Sequence, residues 1–348
     1  MSPAVLAVIL SALVLGTTIT LASSHWIIAW LGLELSTLAI LPLMTRKPHP
    51  RAVEATMKYF LVQAAAAATL LFAATTNAWL TGQWEIQHMA HPVPAGIATL
   101  ALAMKIGLAP THFWLPEVLQ GLDLTTGLIL STWQKLAPFA LLLQMPHDNQ
   151  ALLMMLGGLS TLVGGWGGLN QTQLRKVLAY SSIAHLGWMA LVLPFSPSIS
   201  LFTLILYFIM SFSTFIVFKV NNSTNINALA ISWAKSPALS AITPLILLSL
   251  GGLPPLSGFM PKWLILAELT KQGLLVMAVI AALSALLSLY FYLRLSYIMT
   301  LTMCSNSFMG PSPWRLPTPQ QTLPLAITTM ATIALLPITP LAFSLFSQ

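Results

Sequence analysis

Runs of about 20 mainly apolar residues, the length a helix needs to cross a bilayer, follow one another along the chain and are separated by short polar or Pro/Gly-rich joints. The pattern predicts about eleven such spans, beginning near Pro3, His25, Met57, Ala95, Leu124, Gln150, Lys176, Ile199, Ala238, Leu274 and Leu323. No basic stretch precedes the first run, Met1 to Leu21, so it reads as a retained helix and not a cleaved signal. Counting joints alternately from the side of Met1 gathers Arg46, Lys47, Arg51, Arg175, Lys176, Lys235 and Arg315 on one face, side A, with Lys219 at its border. Side B receives Lys271 together with Glu85 and Asp148. The positive-inside rule then puts the N-terminus on the inner face and the C-terminus outside.

Two spans share an uninterrupted pattern. Gly107-Leu108-Ala109-Pro110 leads to Trp114-Leu115-Pro116-Glu117, and Gly252-Leu253-Pro254-Pro255 leads to Phe259-Met260-Pro261-Lys262. Proline lacks an N–H and collides with the carbonyl four residues back, so both spans are expected to open partway across the membrane. They are the fourth and ninth in order and enter from opposite faces, as in an inverted repeat, where broken helices mark an ion or substrate path. The expected fold is an all-α polytopic membrane protein with discontinuous helices at about 95–120 and 238–271. Residues 1–145 form the first five-helix repeat, 146–300 the second, and 301–348 a loop and a final transmembrane helix.

Composition agrees with lipid as the solvent. Of 348 residues 57% are hydrophobic and 6% charged, against roughly 25% charged in soluble domains. The formal charge of +7 is spread singly along the chain, which excludes a nucleic-acid surface and suits loops facing an anionic leaflet. The single cysteine, Cys304, allows neither a disulfide nor an iron–sulfur cluster. No Gly-x-Gly-x-x-Gly follows a strand-like run. No metal or cofactor site is therefore expected in this chain.

Charge inside the spans carries the candidate chemistry. Glu34 and Lys135 fall mid-span, Lys105 just before the first break and Lys262 just after the second. Each would cost roughly 2.5–3.5 kcal/mol facing lipid at a helix centre, so all four are expected in a hydrated interior. Pro110 and Pro138 free the carbonyls of Ile106 and Gln134 beside two of the lysines, and Ser131, Thr132 and Gln134 are expected to add polarity. A carboxylate and a lysine hold each other charged, whereas a lysine without its partner in a dry site releases its proton. A line of such groups is a proton relay, which His112 and His185 could join. Glu117 reads as a cap or a pair near an interface. The Gly164 to Gly168 spacing reads as close helix packing.

Several of these segments together resemble a known family. They include Trp30-Leu31-Gly32-Leu33-Glu34, Ala55 to Phe60, Met104 to Pro110, His112 to Glu117, Trp133 to Pro138, Leu169 to Lys176, Pro261-Lys262-Trp263 and Leu289 to Arg294. The sequence resembles the antiporter-like proton-pumping subunits of respiratory complex I, in the subunit 2 form of vertebrate mitochondrial NADH dehydrogenase. The resemblance implies a membrane-arm subunit that translocates protons across the mitochondrial inner membrane while partner subunits pass electrons from NADH to ubiquinone. FMN, iron–sulfur clusters and ubiquinone would all be held by those partners. It implies that Glu34 pairs with Lys105 at the channel core, that Lys135 links two half-channels, and that Lys262 serves the exit side. The other implied partners are the remaining membrane-arm subunits, the bilayer with lipids such as cardiolipin, and protons and water. The N-terminus would lie in the matrix and the C-terminus in the intermembrane space.

Two other classes share some of these features. A stand-alone cation/proton antiporter also uses inverted repeats, but the chain has no dedicated acidic cation site. A passive scaffold would leave proton pumping unchanged when Lys105 is made neutral.

Overall fold

Proline sets where many of the helices begin, because its missing N–H is an orphan in the first turn in any case. The structure, a computed structural model, describes residues 2–89, 91–146, 150–234, 236–301 and 322–346. Asp148, Lys235, Cys304 and Arg315 lie outside the described residues. Among the described residues every regular element is helical. The chain divides into two compact units, Met1–Leu159 and Ser160–Gln348.

The first unit contains α1 (Pro3–Ala22), α2 (Trp26–Met44), α3 (Pro50–Thr81), α4 (Pro92–Ile106), α5 (Trp114–Gly121), α6 (Leu124–Ser131) and α7 (Trp133–Gln144). The division falls within α8 (Gln150–Gly167). The second unit continues with α9 (Leu174–Val192), α10 (Pro197–Val220), α11 (Ile226–Ala230), α12 (Pro237–Gly251), α13 (Phe259–Lys271), α14 (Leu275–Leu301), α15 (Thr322–Ala334) and α16 (Thr339–Phe346). Among the described residues five helices, α1, α2, α3, α10 and α14, are each long and apolar enough to cross a membrane unbroken. Their outer faces stay apolar, with Val8, Leu15, Phe72 and Leu283 exposed, as a lipid-facing surface requires.

Joints that the alternation puts on one face meet one another. The α1–α2 and α3–α4 joints pair through a bridge between His25 and Glu85, with the ring of His25 stacked on Trp84. The α2–α3 and α5–α6 joints meet through an ion pair of Lys47 and Asp123 at 3.1 Å. In the second unit the α8–α9 joint pairs with the α10–α11 joint between Gln173 and Asn225.

Small residues let helices approach closely. A Cβ on Gly32 would stand 2.8 Å from the carbonyl oxygen of Gly16, so α1 and α2 touch backbone to backbone. Leu33, Ser36 and Thr37 of α2 are buried as well, and a Cβ on Gly16 would come 2.8 Å from the amide nitrogen of Ser36. In the second unit a Cβ on Gly164 would come 2.6 Å from the amide nitrogen of Ala184. The glycine run of α8 is therefore a packing surface for α9.

Three features differ from the sequence reading. The third helix begins at Pro50 and not near Met57, and its first turns carry Glu54 on an exposed and Lys58 on a half-buried position. The fifth segment is also interrupted, at Thr132 between α6 and α7. There the hydroxyls of Ser131 and Thr132 both donate back to the Leu128 carbonyl, a bonding pattern that bends helices. The final segment is not one straight helix: α15 and α16 meet at a 67° bend. Pro337 and Pro340 stand at that bend and deprive it of two amide donors.

Candidate functional site

The first break begins before its proline. The residue after Ile106, Gly107, has φ 88°, a left-handed conformation that favours glycine and ends α4. The exposed carbonyls of that helix end are then satisfied one by one. The Gly107 and Leu108 amides both donate to Ala103 at 2.9 Å. The indole N–H of Trp114 donates to Met104 at 3.2 Å, and the amide of Gln63 to Lys105 at 3.3 Å. Pro110 lies within the loop and does not itself open the helix, contrary to the proline argument made from sequence. Gly107 does.

Lys105, in the last turn of α4, is 5% exposed and its Nζ has no hydrogen-bond partner among the described residues. It lines a small cavity with Leu33, Ser36, Thr37, Tyr59, Gln63, Trp114, Leu130, Gln134, Lys135 and Pro138. The cavity is about 10 Å³, the scale of one ordered water. Lys135, 3% exposed on α7, thus shares one chamber with Lys105 although the two are thirty residues apart in sequence. Gln134 fastens α7 to α2 by donating to the Ser36 carbonyl at 2.9 Å.

Glu34 sits beside this chamber and does not line it. Its carboxylate accepts from the Thr37 hydroxyl at 3.3 Å, and Thr37 is itself part of the wall. Glu34 interacts electrostatically with Lys105 and Tyr59. The coupling acts through space, with no direct ion pair.

The second break repeats the construction with a different ending. Gly252, φ 78°, terminates α12, and its amide donates to Ser249 at 2.9 Å. Lys262, 9% exposed in the first turn of α13, donates from Nζ to the Gly251 carbonyl at 2.6 Å. A cation at the C-terminal end of α12 opposes the negative end of that helix dipole. The side chain of Lys262 crosses the face of Gly252, where a Cβ would come 2.8 Å from Cδ.

His112 is buried in the first break, with Nδ1 3.2 Å from the Pro110 carbonyl. His185, on α9, lies half-buried with its ring 5.5 Å from that of Tyr207. His112, Glu34, Ser131 and Thr132 are not part of the cavity lining, and the hydroxyls of Ser131 and Thr132 donate to Leu128. Glu117 forms a 2.7 Å ion pair with Lys58, which also binds Glu54 at 2.7 Å. The sequence reading missed Tyr59 and Gln63, four residues apart on one face of α3, together with Ser36, Thr37 and Trp114. Among the described residues no group of three or more His, Cys, Asp or Glu side chains could hold a metal ion.

Paired broken helices with buried amines define the class of antiporter-like membrane subunits. In keeping with that, residues 23–288 match the family described as NADH:quinone oxidoreductase/Mrp antiporter, and residues 289–343 match NADH dehydrogenase subunit 2 C-terminus. The NADH-ubiquinone oxidoreductase chain 2 of Tetraodon nigroviridis is 67% identical over all of both chains, and that of Salmo salar 64%, again over all of both. The chain belongs to the NADH-ubiquinone oxidoreductase chain 2 family. Among solved structures, a chain of respiratory complex I from Thermus thermophilus with bound aureothin superposes with TM-score 0.85 at 30% identity, covering 97% of this chain and 78% of that one. A chain of the Mrp complex from Dietzia sp. DQ12-45-1b shares the fold, with TM-score 0.83 at 16% identity over 97% of this chain and 76% of its own.

Proposed function

We propose that this chain is an antiporter-like membrane-arm subunit of NADH:ubiquinone oxidoreductase, moving protons across the mitochondrial inner membrane while electrons pass from NADH to ubiquinone in partner subunits. One observation carries the reading. Two buried lysines, Lys105 and Lys135, line a single small chamber whose polar wall is Ser36, Thr37, Tyr59, Gln63 and Gln134.

Burying an amine with no partner is costly unless water or a counter-charge compensates it. In this chamber Glu34 supplies the counter-charge for Lys105 at a distance, and Thr37 links the carboxylate to the wall. When the field at Glu34 weakens, the Lys105 amine releases its proton into the chamber, where Lys135 accepts it. In the second unit Lys262 exchanges its bond to Gly251 for a proton-accepting contact, with His185 as a further exchanger on α9. His112 holds the loop of the first break through Pro110. The four charged residues Glu34, Lys105, Lys135 and Lys262 act in that order, driven by charge changes in the partner subunits that hold FMN, iron–sulfur clusters and ubiquinone.

The same reading assigns eleven crossings, with five-helix repeats at 1–145 and 146–300 and the last crossing in 301–348. It puts the N-terminus in the matrix and the C-terminus in the intermembrane space, because the basic joints gather on the side of Met1. The neighbours are other membrane-arm subunits and bilayer lipids, cardiolipin among them.

The test is Lys135→Met in the assembled complex reconstituted in vesicles. Protons pumped per NADH oxidised are expected to fall while NADH oxidation continues in the presence of an uncoupler. An unchanged ratio in an intact complex would leave only a membrane scaffold.

A further inference from the structure

The chamber needs a mouth, and the structure supplies a chemically suited group at one end of its wall. Tyr59 of α3 and Trp114 of α5 line the chamber and meet edge to face, 5.7 Å between centroids. The next residue back along α3 is Lys58, and one turn further along α5 is Glu117. These two form the 2.7 Å ion pair, with Glu54 as second carboxylate on the same amine and Arg51 the nearest further charge on α3. Both members of the pair are exposed, Lys58 by 43% and Glu117 by 52% of their side chains. One turn beyond Glu117, Gly121 lies against the backbone of Arg51, where a Cβ would come 2.6 Å from the carbonyl oxygen. That contact clamps α5 onto the start of α3 and holds Glu117 over Lys58. The α5 end then leads to Asp123, paired with Lys47 on the face that carries Arg46 and Arg51.

The seam between α3 and α5 thus runs from an exposed carboxylate, past an aromatic pair, to a buried amine without a hydrogen-bond partner. The internal repeat gives this position added meaning. In the aligned pattern Glu117 occupies the register that Lys262 holds in the second unit. Each half therefore carries an ionisable group one turn into the helix that follows its break.

We propose that Glu117 is the proton-accepting residue at the mouth of the first unit, exchanging protons with bulk water and passing them between Tyr59 and Trp114 to Lys105. The Glu117 carboxylate takes a proton from water and becomes a carboxylic acid, which loosens its hold on Lys58. It returns to carboxylate when the proton moves inward to the neutral amine of Lys105. Glu54 keeps Lys58 paired throughout, so the amine is not left without a counter-charge. Trp114 stays fixed by its bond to Met104, which leaves Tyr59 as the movable half of the barrier.

This proposal rests on the chamber being a proton carrier, and its test separates the two. Glu117→Gln is measured in the reconstituted complex beside Lys105→Met. Coupled proton uptake is expected to slow about tenfold in Glu117→Gln, less than the roughly hundredfold lower end for loss of a proton-transferring group because water can partly replace it. A purely structural contact predicts recovery in the double variant Lys58→Gln with Glu117→Gln, whose two neutral amides can hydrogen-bond each other and keep α5 against α3. No recovery is expected here. Wild-type pumping in Glu117→Gln or in the double variant, with pumping lost in Lys105→Met, overturns the role of Glu117 and leaves the chamber standing. Wild-type pumping in all three overturns both. Should Glu117→Gln fail to assemble, Glu117→Asp keeps the charge but shortens its reach, and an undiminished uptake rate in that variant counts against the proposal.

Discussion

Replacing Lys105 by Met is expected to abolish proton translocation through this subunit while leaving its fold as stable as before or more so. The two effects have opposite signs for one reason. The Lys105 amine is buried with no hydrogen-bond partner, and a charge so placed opposes folding unless something offsets it. Met fills a similar volume with an apolar chain, so the substitution relieves about 1–3 kcal/mol of desolvation, which outweighs the loss of the indirect attraction to half-buried Glu34. The Gln63 bond survives, because it reaches the Lys105 backbone carbonyl and not the side chain. Proton pumping per NADH and thermal unfolding of the purified complex are the two readouts. Lost pumping together with lower thermal stability would indicate a structural lysine, and retained pumping would remove it from the relay.

The second large effect is expected at Gly258, where α13 begins. A Cβ built there falls inside the van der Waals radius of the Ser249 carbonyl oxygen. That oxygen belongs to rigid backbone at the end of α12 and already accepts the Gly252 amide. Gly258→Ala must therefore push α13 away from α12, at a cost of about 3 kcal/mol, and draw Lys262 off the Gly251 carbonyl. Loss of assembled complex on native gels, or assembly with impaired pumping, is the expected outcome. Gly251→Ala is the matched control: its Cβ would find only ordinary contacts at 3.7 Å and beyond. It is expected to leave stability unchanged or raise it by up to about 1 kcal/mol, because Ala favours a helix over Gly. Equal assembly of the two variants would mean that the close approach at Gly258 does not hold the second break together.

The sequence made the membrane class and the two breaks legible because their physics is local. Apolar runs, a repeated Gly-to-Pro pattern and charges in the middle of spans can be seen without knowing which helices touch. The chamber was only half legible. Lys105 and Lys135 stand out as charges in oil, but nothing in their spacing says that they line one cavity. Tyr59 and Gln63 lie in a helix that begins with charged turns and continues through an alanine-rich run. Their four-residue spacing was the available signal, and it gains meaning only when α4 ends against them. Ser131 and Thr132 read as polarity beside Lys135, and they also play a local part that spacing does not reveal: a hydroxyl in a membrane helix commonly bonds a carbonyl of the preceding turn, as both do at Leu128. Glycine acts before proline at both breaks: Gly107 and Gly252 end their helices through left-handed backbone, ahead of Pro110 and Pro254 in the chain. The bend before α16 had a visible cause in Pro337 and Pro340, which the length of the apolar run concealed.

Everything proposed for transport requires that the chamber between Lys105 and Lys135 be wet. A density map of the assembled complex at water-resolving quality tests this directly. The expected result is at least one ordered water within hydrogen-bonding distance of Lys105 Nζ and a polar wall atom of Tyr59, Gln63, Thr37 or Gln134. A dry chamber, with the Lys105 amine bonded only to protein or shut off from Lys135 by packed side chains, would contradict the proton-carrying role.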